Sequence, residues 1–114
     1  MTTPDVQHID PAESKRRVDA GALLLDVRNP DEWHAGHAEG SAWIPMAELA
    51  ERQEELPVDR EIVVICKVGS RSARVAQALV AAGYEAANVA GGCEAWQAAG
   101  LAIVTDDGRP GTVA

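Results

Sequence analysis

Residues 66–71, with the sequence CKVGSR, combine a nucleophile, two cations and a glycine. Thiolates rather than thiols are nucleophilic, and neighbouring positive charges such as Lys67 and Arg71 favour the thiolate of Cys66. Gly69 can adopt backbone conformations that turn successive N–H groups toward an anion. The segment therefore predicts a Cys66 thiol of lowered pKa that attacks, or carries a group from, a small anionic substrate.

The elements on either side of this segment support the same interpretation. Residues 61–66 (EIVVIC) have the pattern of a buried strand, and residues 72–83 (SARVAQALVAAG) that of a helix, with Val75, Leu79 and Ala82 on one face. Cys66 thus lies at the carboxyl end of a strand, where open α/β sheets bind ligands. A helix that begins near residues 70–72 adds unpaired N–H groups and partial positive charge. A lone cysteine is more often a buried space-filler, but the glycine, the cations and the helix start favour a catalytic Cys66.

The rest of the chain alternates between strand and helix patterns, which predicts an α/β fold with a mostly parallel sheet and helices on both faces. Asp10 and Asn29 are expected helix caps, with Glu13 and Glu32 completing capping boxes. The predicted strands are residues 6–9, 22–27, 41–45, 61–66 and 84–89, and the predicted helices are residues 10–21, 29–36, 46–56, 72–83 and 93–100.

Composition narrows the classes of function. The chain has 114 residues, enough for one domain, and a net charge of −8, which argues against nucleic acid or an anionic membrane as partner. No apolar run approaches the ~20 residues of a membrane span, and the first ten residues lack a signal-peptide pattern, so a cytoplasmic location is expected. Cys66 and Cys93 are too few for a disulfide scaffold, and their spacing fits neither a metal site nor a redox pair.

Three motifs in this order resemble the rhodanese (sulfurtransferase) family. Residues 23–45 (LLLDVRNPDEWHAGHAEGSAWIP) are similar to the family's early signature, and residues 64–72 (VICKVGSRS) to its Cys-x-x-Gly-x-Arg-Ser active-site pattern. Residues 89–103 (VAGGCEAWQAAGLAI) are similar to its closing Gly-Gly-x-x-x-Trp pattern. The resemblance covers nearly the whole chain, as a single-domain member with a three-layer fold. The expected domain is residues 1–104, followed by a flexible tail of residues 105–114.

The resemblance implies that Cys66 accepts a sulfane sulfur as a persulfide and passes it to cyanide or a thiol. N–H groups of the loop would stabilise the persulfide anion and bind a donor such as thiosulfate. Asp26 and Arg28 would brace the site. A thiol or a protein could be donor or acceptor, and neither a metal nor an organic cofactor is implied. The residues expected to bind substrate are Lys67, Val68, Gly69, Ser70 and Arg71.

Alternatives remain open at this point. Related cell-cycle phosphatases have five residues between cysteine and arginine, whereas this chain has four, which favours sulfur transfer over phosphatase chemistry. Arsenate reduction by related domains stays an alternative, because loop length is only a partial guide. A non-catalytic module that binds a partner or senses sulfide is the other alternative. The chain departs from the family pattern at Trp43, where Asn or His is usual, and at Cys93, where a large apolar residue is usual. Cys93 and His37 are interpreted as structural.

Overall fold

A five-stranded parallel sheet forms the centre of the molecule in the computed structural model, which describes residues 5–114. Residues 1–4, part of the ten-residue segment that lacks a signal-peptide pattern, lie outside the described residues. The strands of the sheet are β1 (Gln7–Ile9), β2 (Leu23–Asp26), β4 (Ala42–Trp43), β5 (Ile62–Ile65) and β6 (Ala86–Val89). Their order in the sheet is β1-β6-β5-β2-β4, so β5 is central and paired on both sides. Outside this sheet, β3 (His37–Ala38) pairs antiparallel with β7 (Ile103–Val104).

Helices cover both faces of the sheet, as predicted. Successive residues of a strand point to opposite faces, so Val64 and Ile65 of β5 enter different core layers. Helices α3 (Leu49–Arg52) and α4 (Ser70–Ala81) contribute buried residues to the layer that contains Val64. Helices α1 (Pro11–Asp19) and α5 (Gly92–Ala98) border the layer that contains Ile65, while α2 (Pro30–Ala35) lies beyond β2 in the chain. The α/β architecture with a five-stranded parallel sheet confirms the predicted fold class.

Some local predictions were wrong. Residues 46–56 do not form one helix: they divide into the single turn of α3 between two 3-10 turns, because only Leu49 and Leu56 of this segment are buried. Ala82 was expected to share the apolar face of the helix with Val75 and Leu79, but it lies just beyond the end of α4 and is exposed. Asp10 caps α1 by accepting from the Glu13 N–H at 2.7 Å, but the Glu13 carboxylate binds arginines of the next turn instead of closing a capping box.

The chain's last ten residues contact α2 and β3. The Thr112 N–H donates to the Ala35 carbonyl at 3.0 Å, and the Thr105 N–H donates to the Arg109 carbonyl at 2.8 Å, which closes a turn. The division of the chain at residue 104 and the flexibility of the segment after it stay predictions. None of the helices formed by residues 5–114 is long and apolar enough to cross a bilayer.

Candidate active site

The Cys66 side chain lies under the loop that joins β5 to α4, as the strand–loop–helix pattern predicts. The Gly69 N–H donates to Cys66 Sγ at 3.1 Å, and Ser72 Oγ lies 3.2 Å from the same sulfur. The backbone N–H groups of Val68 and Ser72 also face it. Of the five loop residues expected to bind substrate, two therefore direct their amides at the sulfur, and Ser72 is an additional contact that the predicted set omits.

The loop geometry depends on Gly69, which precedes α4 with φ +103°. A Cβ atom at this position would meet the Gly91 nitrogen at 3.1 Å, and the backbone conformation is one that side chains resist. Because Gly69 can turn, its own N–H and that of Ser72 in the first turn of α4, which has no partner within the helix, face Cys66.

Hydrogen bonds outweigh burial in setting the pKa of Cys66. Burial of the thiol raises its pKa, but donors from the Ser72 side chain and from the Ser72, Gly69 and Val68 amides lower it by more. The pKa of the Cys66 thiol consequently lies below its ordinary value, which increases the thiolate fraction near neutral pH.

The outer side of the loop is attached to the first turn of α5. The Cys93 N–H donates to the Cys66 carbonyl at 2.7 Å, and the Glu94 N–H donates to the Lys67 carbonyl at 3.1 Å. Gly92 is required for this approach, since a Cβ atom there would lie 2.4 Å from the Cys66 carbonyl oxygen. Two helix starts therefore meet at the loop, one facing the sulfur and the other binding its carbonyls.

The positive charge of the site is partly neutralised. Arg71 forms a two-pronged ion pair with Glu32, with N–O distances of 2.7 and 2.9 Å, and Glu32 also accepts from the Asn29 N–H at 3.1 Å. The arginine lowers the pKa of the Glu32 carboxyl. Among residues 5–114, Lys67 and Arg74 form no ion pair, so they carry the uncompensated charge near the loop. Glu32 was interpreted from its spacing only as a capping residue, and its second role was missed.

Asp26 and Arg28, the expected bracing residues, form a buried ion pair at the end of β2. Both side chains have no exposed surface, and Arg28 Nη2 donates to Asp26 Oδ2 at 2.8 Å and to the Gly36 carbonyl at 2.8 Å. The pair thus connects the end of β2 to the end of α2. The Trp43 indole N–H donates to the Arg28 carbonyl at 2.9 Å. Trp43, which departs from the family pattern, therefore also holds the segment that follows β2.

Of the remaining residues singled out in the sequence, His37 is packed against Trp33, whereas Val68 and Ser70 are exposed. The His37 ring stacks on Trp33 at 3.5 Å between centroids, and its Nδ1 lies 2.9 Å from the Trp33 carbonyl. Ser70 is exposed as the first residue of α4, and the Val68 side chain is 51% exposed. Within residues 5–114, no group of three His, Cys, Asp or Glu side chains is arranged to hold a metal ion.

Fold and site together define an α/β domain that holds a buried thiol beneath a loop whose hydrogen-bond donors converge on the sulfur. The model of the rhodanese-like domain matches residues 10–99, and the chain belongs to this family. A rhodanese-related protein from Thermoplasma volcanium superposes with a TM-score of 0.82 and is 33% identical, over 88% of this chain and 99% of the other.

Two curated relatives place the domain in different proteins. A sulfurtransferase of Allochromatium vinosum is 37% identical over 87 residues, which cover 75% of this chain and 81% of that protein. The HTH-type transcriptional regulator Rv0324 of Mycobacterium tuberculosis is 40% identical over 105 residues, which cover 87% of this chain but 44% of the regulator. Relatives of this chain therefore include both a stand-alone sulfurtransferase and a longer regulatory protein.

Proposed function

We propose that this chain is a sulfurtransferase that moves sulfane sulfur from thiosulfate or a persulfide donor to cyanide or a thiol through a Cys66 persulfide. The observation that carries the proposal is the sulfur of Cys66, held among N–H and O–H donors with its pKa lowered. The sulfurtransferase similar to this chain supports the same reaction class.

The reaction has two balanced steps. The Cys66 thiolate attacks the outer sulfur of thiosulfate, an S–S bond forms, and sulfite leaves with the electron pair of the broken S–S bond. Cyanide or a thiolate then attacks the outer sulfur of the persulfide, which yields thiocyanate or a new persulfide and returns the Cys66 thiolate. No net oxidation of the protein occurs over the cycle.

The loop stabilises the anion at each stage. The negative charge of the persulfide resides on its outer sulfur, and the N–H groups of Val68, Gly69 and Ser72 supply donors that are in place before reaction. Lys67, without an ion-pair partner among the described residues, attracts the anionic donor. Because Cys66 has no exposed surface, a donor reaches it only when neighbouring side chains move, which favours a small donor such as thiosulfate.

Thiocyanate formation from thiosulfate and cyanide tests the proposal. The wild-type protein is expected to turn over, and to gain the mass of one sulfur atom on the peptide that contains Cys66 after incubation with the donor alone. Cys66→Ser should lose both properties, whereas Cys93→Ser, a matched change at the other buried cysteine, should keep them. Absence of both turnover and the mass increase in the wild type would refute a sulfurtransferase.

The regulator among the relatives favours one second candidate, a module that senses reactive sulfur. The same loop would then hold a persulfide without passing it on rapidly. Mass spectrometry separates the two: a Cys66 persulfide that persists in the presence of cyanide or thiols indicates a sensor, and one that is removed within a turnover indicates a transferase.

A further inference from the structure

The Ser72 hydroxyl lies between two acceptors, although it has one hydrogen. Its oxygen is 3.2 Å from Cys66 Sγ and 2.5 Å from Asn88 Oδ1. Ser72 and Asn88 are both buried, with exposed fractions of 0% and 3%, so water does not readily replace either partner. A serine hydroxyl cannot donate to the sulfur and to the amide oxygen at the same time.

The orientation of the Asn88 amide decides which acceptor receives this hydrogen. Asn88 Nδ2 lies 3.3 Å from the Gly69 carbonyl and 3.0 Å from His8 Nδ1. A backbone carbonyl only accepts, so the amide atom that faces it must be the nitrogen. The oxygen of Asn88 therefore faces Ser72, and since this oxygen also only accepts, Ser72 must donate to it.

We propose that Asn88, oriented by Gly69 and His8, is a positioning residue that competes with Cys66 for the Ser72 hydrogen. In this arrangement the Cys66 S–H donates to Ser72 Oγ, and Ser72 donates to Asn88, which stabilises the thiol. When the thiol loses its proton to solvent, the Ser72 hydrogen turns toward the sulfur and its bond to Asn88 is broken. Ionisation of Cys66 thus costs one buried hydrogen bond, and the pKa of the thiol is higher than the surrounding donors alone would set it.

The proposal deepens the proposed function, on which its catalytic consequence rests. Ser72 would stabilise the thiol when its hydrogen is on Asn88, and the thiolate or persulfide anion when its hydrogen is on the sulfur. Asn88 would then lower the fraction of Cys66 that is ionised before a donor arrives, without contacting the donor itself. His8 contributes indirectly, since it is exposed on β1 and only holds the amide nitrogen.

The test is the pKa of Cys66, read from the rate of iodoacetamide alkylation against pH. Asn88→Ala should lower this pKa by about one unit, which raises the alkylation rate about tenfold at pH values below both pKa values. Asn88→Asp should raise it, because a carboxylate holds the Ser72 hydrogen more strongly and adds negative charge. Ser72→Ala should also raise it, and in that background Asn88→Ala should have no further effect, since the competition is gone.

The charged and titratable groups that act on the sulfur from other elements stay constant in these variants. They are Arg71 of α4, with its partner Glu32 of α2, and Cys93 of α5. A purely structural role for Asn88 would move stability but would not produce opposite pKa shifts in the alanine and aspartate variants.

An unchanged or raised pKa in Asn88→Ala, or an equal shift with and without Ser72, would overturn the proposal. If a thermal melt shows that Asn88→Ala does not fold, His8→Phe on the exposed face of β1 provides the test. It removes one of the two acceptors that hold the amide nitrogen, which weakens the orientation of Asn88, and should lower the pKa by about half a unit. These measurements do not need sulfur transfer. If the wild type shows neither thiocyanate formation nor the mass increase on Cys66, the proposed function is refuted and the pKa shifts still stand.

Discussion

Cys66 and Cys93 have no exposed surface, and a backbone hydrogen bond joins them, yet their thiols have opposite properties. Cys66 packs in the layer with Val64, and Cys93 packs in the layer with Trp96 on the other face of the sheet. Burial raises the pKa of Cys93 to about 12, whereas donors lower the pKa of Cys66.

The difference between the two cysteines lies in the number of donors. Four hydrogen-bonding groups face the Cys66 sulfur, because a helix start and a turning glycine aim them there. Cys93 lies in the first turn of α5, but its side chain enters an apolar layer, where burial is the dominant influence on its pKa. The charge of Arg28 and, to a lesser extent, the Ala38 amide lower this pKa without offsetting the effect of burial. A cysteine near a helix start is therefore activated only when the N–H groups point at its sulfur.

The largest expected effect is the ratio of alkylation rates of the two thiols. With a pKa of about 12, on the order of one Cys93 in 10⁵ is ionised near pH 7. Iodoacetamide should therefore label Cys66 at least about a thousandfold faster in the native protein, as read by peptide mass spectrometry. In denaturant the two rates should become equal, and a native ratio near one would contradict the assigned environments.

Gly92→Ala should break the contact between the two cysteine segments. The added Cβ would overlap the Cys66 and Lys67 carbonyls at 2.4 and 2.5 Å, in a backbone with φ +60°. We expect a loss of about 3 kcal/mol or more in the free energy of unfolding, measured with urea, and a comparable loss of sulfur transfer.

Gly100→Ala is the matched control for this change. Gly100 follows the same helix with φ +84°, but a Cβ there meets nothing within 4 Å. It should cost only about 1–2 kcal/mol from backbone strain and leave transfer unchanged. Equal effects of the two variants would mean that strain, rather than overlap with the loop, matters at Gly92.

At alkaline pH the two thiols should change the free energy of unfolding in opposite directions. Cys93 has a raised pKa in the folded state, so its stabilising contribution is present below the unfolded pKa and is lost as pH rises toward about 12. By about pH 10.5 this loss amounts to roughly 2 kcal/mol. Cys66 has a lowered pKa, so its contribution appears above the folded pKa and persists at high pH.

Urea unfolding at neutral and alkaline pH checks these signs. From near pH 8 to about pH 10.5, Cys93→Ala should lose less stability than the wild type, and Cys66→Ala should lose more. Subtracting the change of the wild type from that of each variant removes the contributions of lysine and tyrosine titration, which all three proteins share. Identical pH slopes in all three proteins would show that neither thiol differs from its unfolded state.

The smallest expected effect comes from removing the carboxylate charge that neutralises Arg71 near Cys66. Glu32→Gln retains an acceptor for the Asn29 N–H but removes the negative charge that neutralises Arg71. The KM for thiosulfate should fall about threefold, the size expected for one partly exposed charge. Glu94→Gln makes the same change on an exposed residue beside Cys93 and should leave KM unchanged. A fall in KM in both variants would indicate net charge rather than the Arg71 pair.

Most of the framework was predictable because its signals are local. Four apolar residues before Cys66 indicate a central strand, and Gly69 with the serines after it indicates a helix start at the sheet's carboxyl edge. Asp10 and Asn29 likewise mark helix starts through residues within one turn. Such signals need no knowledge of which elements become neighbours.

The contacts that complete the site come from distant parts of the chain and could not be read in this way. Glu32 meets Arg71, and Asn88 meets both Ser72 and His8, only because β1, β6 and β5 are adjacent and α2 lies beside the loop. Strand order is set by packing of the whole sheet, and apolar runs of similar composition do not specify it. The β3–β7 pair was missed for the same reason, since two-residue strands carry no periodic pattern.

The hydrogen bonds between α5 and the loop also restrict how the length of the loop could change in evolution. The carbonyls of Cys66 and Lys67 are occupied by the Cys93 and Glu94 amides, so the first two peptide groups after β5 cannot turn over. A phosphate-sized pocket requires a fifth residue between Cys66 and Arg71. Inserting it would displace one of these carbonyls from its amide donor and leave both groups without a hydrogen bond. Although α5 supplies no reacting group, its amides thus fix the length of the loop and the size of the pocket. A change of substrate to a larger anion would have to begin with changes in α5.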